Sequence, residues 1–188
     1  MAKKRGVTSE TVYVGTDMNE NDTIFGSTEP IRNVILEDVE QIAQLEGACF
    51  SPKEAASEAS FLQRLKVYAN HFLVLEEEGK IVSMVNGMVT DEEDLKDEMY
   101  SNAQLHNENG KWQMIFGVAT HPDWKKKGLA QKVLKEFIAI AREENRKGLV
   151  LTCKEKLIPY YEKFGFVNEG ISSSEHGAVV WYQMRLVL

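Results

Sequence analysis

The chain has 188 residues, 43% of them hydrophobic, which suits one packed domain and is too little for two. A net charge of -7 argues against nucleic acid as the main partner, since phosphate backbones need a basic face, and is compatible with a cationic substrate such as an amine. The 2 cysteines build no disulfide framework, no leader-like apolar stretch follows Lys3, Lys4 and Arg5, and no run is long enough to cross a bilayer, so a reduced, cytoplasmic protein with no membrane partner is expected.

Residues 1–28 are polar and are expected to form a partly mobile arm, with a short strand at Val12–Val14, ahead of a single domain at 29–188. Ile31–Leu36 reads as an edge strand, and Val39, Ile42, Ala43 and Leu45 follow at helical spacing. Ser51, Pro52 and Glu54 resemble the start of a second helix, with Ser51 as cap. His71–Leu75 and Ile81–Val89 predict a hairpin turning at Gly79. The polar segment 91–110 predicts a short helix and an exposed loop, and Trp112–Ala119 a strand. Gly128–Arg142 carries Leu129, Val133, Leu134, Phe137, Ile138 and Ala141 on one helical face. Gly148–Thr152 has the apolar run of a buried parallel strand. Ile158–Lys163 predicts a short helix, and Phe164–Val167 and Val179–Leu186 two strands. The sum is an α/β domain with a mixed sheet.

The chemistry concentrates at Val118–Ala130, where a strand enters the basic turn Lys125-Lys126-Lys127 before a long amphipathic helix. The first amides of a helix lack intrahelical acceptors and, with the helix dipole, favour an anion such as a diphosphate. Gly128 and Ala130 leave room for close approach, and the lysines add charge. A solvated turn before an ordinary core helix is the plainer reading. The turn is not a Walker loop, because no Gly-Lys-Ser/Thr closes it. The scattered His and Cys residues give no metal-ligand spacing.

Lys125-Lys126-Lys127-Gly128-Leu129-Ala130 resembles the Arg/Gln-x-x-Gly-x-Gly/Ala motif of the GNAT superfamily of N-acetyltransferases, with Lys at the first position. The segment Leu151–Phe166, with Cys153, the run Pro159-Tyr160-Tyr161 and Phe164-Gly165-Phe166, resembles the serotonin (arylalkylamine) N-acetyltransferase subgroup. The resemblance spans roughly residues 30–185. It implies the GNAT (acyl-CoA N-acyltransferase) fold, a mixed central sheet with splayed parallel strands flanked by helices. It also implies acetyl-CoA as cofactor, held by Lys125, Lys126, Lys127, Gly128, Leu129 and Ala130, with Phe116, Gly117, Val118, Cys153 and Tyr160 along the pantetheine slot.

The resemblance makes Tyr161 the general acid for the departing thiolate, with Tyr160 as the rival. Backbone groups of Phe116 and Val118 would meet the arm and the thioester carbonyl. The vertebrate serotonin enzymes carry two histidines where this chain has Met114 and Phe116, so Glu54 becomes the candidate base. Phe50, Ser51 and Met88, with the Ser172–Gly177 loop, would line the amine pocket. His121 reads as a cap, and His71, His106 and His176 receive no role. The implied function is direct acetyl transfer to a primary amine of a small molecule, with an arylalkylamine as the acceptor that the subgroup suggests. The alternatives are a peptide or protein N-terminal acetyltransferase and a non-catalytic acyl-CoA-binding protein. A homodimer through an exposed end strand is a further expectation.

Overall fold

The computed structural model describes residues 31–188; the N-terminal arm and its strand at Val12–Val14 lie outside the described residues. Strands β1 (Ile31–Asn33), β2 (Phe72–Glu77), β3 (Lys80–Asn86) and β6 (Gly117–Thr120) form an antiparallel sheet in that order. A second sheet has the order β4 (Val89–Thr90), β5 (Trp112–Ile115), β7 (Gly148–Cys153), β9 (Tyr182–Val187) and β8 (Val167–Ile171). Its β5–β7 pair is parallel and the others antiparallel. The helices are α1 (Val39–Cys49), α2 (Glu58–Tyr68), α3 (Glu98–Ser101), α4 (Leu129–Glu143) and α5 (Ile158–Glu162). This is the mixed α/β GNAT fold that the sequence implied.

The predicted β2–β3 hairpin turns on Glu78 and Gly79, whose φ values of 52° and 75° make the two-residue turn that matches strand twist. Two strands that the sequence presents as continuous are each broken at one level. Ile81–Val89 divides into β3 and β4 around Gly87, and Trp112–Ala119 divides into β5 and β6 at Phe116. A Cβ on Gly87 would stand 1.6 Å from the carbonyl oxygen of Met114, so only glycine permits this crossing. Beyond the break, β6 follows β3 while β7 continues with β9. A wedge therefore opens between β6 and the C-terminal end of β7.

Helix α4 buries Leu129, Val133, Leu134, Phe137 and Ala141 against Leu73, Val85 and Leu149. Its amphipathic pattern thus fixes the helix across both sheets, with its N-terminus at the mouth of the wedge. The second helix does not begin at Ser51. Phe50 is extended, the Glu54 and Ala55 amides both donate to the Ser51 carbonyl, and the Ala56 amide donates to Glu46 Oε1. One isolated turn results, and α2 starts only after Ser57, whose Oγ accepts from the Ser60 amide. Phe164–Phe166 likewise forms no strand, because its amides return to carbonyls of Tyr161 and Glu162, and Gly165 at φ 92° closes the helix.

The polar 91–110 segment does contain a short helix, α3, but it is not wholly exposed: Leu95, Met99 and Ala103 pack on Trp112, Met114 and Val150. Its far end is tied down by Glu108, which accepts from Asn70, His71, His106 and Arg146 at 3.1–3.2 Å. The Val89 amide donates to His106 Nδ1, so Nε2 carries the ring proton and donates to Glu108. That proton makes His71, His106 and Glu108 a hydrogen-bonded cluster, not a set of open metal ligands.

Burial alone would raise the Glu108 pKa, but the hydrogen bonds from Asn70, His71 and His106 outweigh it and hold the carboxyl at about 2. Burial pushes the His106 imidazole below its ordinary value of 6.5. Both shifts have one sign: the unfolded chain binds protons first, so stability falls as pH drops. The loss begins below 6.5 through His106 and continues from 4.5 toward 2 through Glu108. Glu108→Gln should flatten the lower part of a melting-temperature profile followed by circular dichroism. An unchanged slope there would refute this account.

Candidate active site

The wedge holds two cavities that meet at Val118, Leu157 and Tyr161. The cavity beside α4 has a volume of about 460 Å³ and is bordered by Lys125, Lys126, Gly128, Ala130 and Tyr160. Gly128 caps α4 in the left-handed conformation at φ 76°, and the first intrahelical bond runs from the Lys132 amide to its carbonyl at 3.1 Å. The amides from 129 to 131 precede that bond and have no helical acceptor. Tyr160 adds a buried hydroxyl with no partner. This donor-rich, lysine-flanked cavity fits the pyrophosphate and arm of coenzyme A.

The predicted cofactor residues divide between the two spaces. Lys125, Lys126, Gly128, Leu129, Ala130 and Tyr160 border the α4 cavity, and Val118 borders both. Lys127 is not among the residues that border either cavity, and its Nζ lies 4.1 Å from the Trp124 ring centroid in a cation–π contact. Phe116, Gly117 and Cys153 border the other cavity. The Phe116 amide is unavailable to a thioester, because it donates to the Asn86 carbonyl at 2.7 Å. Val118 differs. The His121 amide bonds to Val82, and antiparallel alternation through the β3–β6 register then turns the Val118 N–H and C=O away from β3, toward the wedge.

The second cavity, about 410 Å³, lies under α1, α2 and the 172–178 loop. Phe50 and Glu54 line it as expected, whereas Ser51 and Met88 do not. Ser51 spends its carbonyl closing the turn and its side chain is exposed. Met88 is fully buried in the core with Tyr68, Leu95 and Trp112. Both Glu54 oxygens bind Lys154 Nζ, at 2.8 and 3.0 Å.

A different carboxylate is open. Glu46 on α1 is 6% exposed, and its Oε2 has no partner. A Cβ on Gly117 would lie 3.9 Å from that oxygen, which places Glu46 at the root of the wedge. Burial raises its pKa, with the Ala56 amide and the Arg64 charge pulling the other way. Tyr100, Phe116, His176 and Trp181 supply an aromatic wall. Tyr100 stacks on His176 at 5.0 Å and bonds Thr152 through its hydroxyl. Glu46, Arg64, Tyr100 and Trp181 were not singled out from the sequence, whereas His176, to which no role was given, lies in the Ser172–Gly177 loop expected to line this pocket. His121 does act as a cap, with Nδ1 accepting from the Asp123 amide.

Tyr161 is 7% exposed and borders both cavities. Burial, then the neighbouring Cys153 and Tyr160, push its pKa well above the ordinary phenol value, so it remains a neutral O–H donor. Burial raises Cys153 to about 11, leaving a thiol with little nucleophilic thiolate. Among the described residues, no helix is long and apolar enough to cross a membrane.

The sheet is thus split over a helix N-terminus, with the buried Tyr161 phenol at the junction of two cavities. The chain matches the acetyltransferase (GNAT) family over residues 39–166 and belongs to it. It is 26% identical over 113 residues to serotonin N-acetyltransferase of Mesocricetus auratus, a match covering 60% of this chain and 53% of that protein. The matched region thus spans about half the length of this relative. Among solved structures, the ribosomal-protein-S18-alanine N-acetyltransferase of Escherichia coli is similar with a TM-score of 0.63 at 17% identity, over 84% of this chain and 92% of that one. A GNAT family acetyltransferase from Brucella melitensis in complex with acetyl-CoA gives 0.54 at 18% identity, over 85% and 87%.

Proposed function

We propose that the chain moves the acetyl group of acetyl-CoA directly to a primary amine seated in the cavity beneath α1 and α2. The observation that carries this reading is the position of Tyr161 at the junction of the two cavities. Acetyl-CoA supplies an activated thioester. Lys125, Lys126 and the α4 amides hold its phosphates, and the Val118 backbone meets its arm. Glu46 accepts the proton that the amine must lose before attack, and Tyr161 provides a proton at the departing sulfur. Glu54, closed by Lys154, positions the turn that frames the cavity.

Two acceptor classes follow from the comparisons. The likeness to serotonin N-acetyltransferase favours a small arylalkylamine, and the aromatic wall gives such a group a surface. The likeness to a ribosomal-protein alanine N-acetyltransferase, which spans 84% of this chain, supports a peptide N-terminus. The test is coenzyme A release from acetyl-CoA with tryptamine, phenethylamine, free amino acids and short peptides. Turnover with any primary amine supports direct N-acetylation. Tight acetyl-CoA binding without turnover on every arm would leave a binding protein instead.

A further inference from the structure

Glu46 and Arg64 share an unusual condition. Both line the same cavity, at 6% and 5% exposure, and each keeps one buried polar atom without a partner, Oε2 and Nε. They do not pair with each other. The other acids on the cavity are satisfied: Glu54 binds Lys154 through both oxygens, and Asp97 accepts from the Ser174 hydroxyl and the Glu175 amide. An acid and a guanidinium, each short of one hydrogen-bond partner, therefore border one cavity without pairing.

Arg64 is the more demanding of the two. Its guanidinium donates to Asn86 Oδ1 at 3.3 Å and to the Tyr100 carbonyl at 2.9 Å, and lies over the rings of Phe61 and Phe116. Neutral acceptors and ring faces orient the group without neutralising it. Burial pulls its pKa down, as it does for a cation lacking a contacting anion. A buried charge is costly unless paired, and a guanidinium has a fork of donors that suits a carboxylate.

We infer that the acceptor is a zwitterion, an amino acid whose amine faces Glu46, whose carboxylate meets Arg64, and whose side chain rests on Tyr100, His176 and Trp181. This deepens the proposed amine acetylation and rests on it. A plain arylalkylamine would leave Arg64 unneutralised, and a peptide would offer it only an amide carbonyl. Charge-assisted hydrogen bonds are the stronger kind, so the carboxylate should count in catalytic efficiency.

The test compares matched acceptors on the intact chain with acetyl-CoA: tryptophan against tryptamine, tyrosine against tyramine, and leucine against leucinamide and Leu-Gly. The expected result is a kcat/KM at least about tenfold higher for each amino acid than for its carboxylate-free partner, the scale of one ionic hydrogen bond. In Arg64→Gln that preference should collapse toward one, because amino-acid turnover falls much further than amine turnover. The wild-type comparison stands alone if the variant fails to fold. Equal or better turnover of tryptamine, or of leucinamide and Leu-Gly, overturns the zwitterion and leaves amine acetylation intact. A preference that survives Arg64→Gln overturns the role of Arg64. Failure of every acceptor sinks both readings.

Discussion

Replacing Tyr161 by phenylalanine should lower kcat by about 10²–10³-fold, the range of a positioned proton donor, while leaving the acetyl-CoA dissociation constant within about threefold. The change removes one oxygen and keeps the ring. That ring packs edge-on against Tyr160 and Phe166 at 5.2 and 6.0 Å, so the wall of both cavities survives. The chemistry explains the size. A thiol of pKa about 8.5 leaves poorly as a bare anion from a desolvated slot, and burial raises that value in the same way that it raises Tyr161. Matched donor and acceptor shifts keep proton delivery workable although the phenol is a weak acid. Single-turnover kinetics with isothermal titration of coenzyme A separate the two effects. A kcat within threefold of wild type would remove Tyr161 from the proton-transfer role, and Tyr160, whose hydroxyl is buried without a partner on the α4 cavity, would be next.

Much of this arrangement is legible in the residues. The spacing of Leu129, Val133, Leu134 and Phe137 sets α4, and the small residues at 128 and 130 mark its open end. The split of the sheet is less legible, because Trp112–Ala119 is one apolar run and nothing local marks Phe116 as the break. The cause is Gly87, a contact distant in sequence that lets one backbone cross another. Met88 failed as a pocket residue for the same reason: beyond that crossing it turns into the core.

Glu46 and Arg64 left a readable trace that periodicity alone overlooks. Each is a charge on the apolar face of a helix, four residues after Ile42 and three after Phe61. A charge in that register must either break the helix or find a use inside. Glu54 drew attention instead through the family resemblance, as a stand-in for the two histidines replaced by Met114 and Phe116. Its pairing with Lys154, 100 residues away, is beyond any local pattern.

Glu46→Gln should cut kcat/KM by about 10²-fold or more and erase the acidic limb of the pH profile. The sign follows from burial. A raised carboxyl pKa moves the protonated, inactive form of the base closer to neutrality, so wild-type kcat/KM should fall with decreasing pH above the ordinary carboxylate range. Glutamine has no such titration, and its residual rate should follow only the amine. The substitution keeps the shape and leaves a carbonyl to accept from the Ala56 amide, so the turn at 51–56 should persist. It also removes a buried charge whose second oxygen is unpartnered, so the melting temperature should rise while activity falls. That opposed pair separates a base from a structural acid, because a carboxylate that merely held the turn would lose stability and rate together. Glu54→Gln supplies the contrast. It breaks an ion pair with Lys154 and should lower stability while the acidic limb remains. If the limb instead disappears with Glu54 and survives in Glu46→Gln, the base is Glu54, and the open oxygen on α1 serves binding alone.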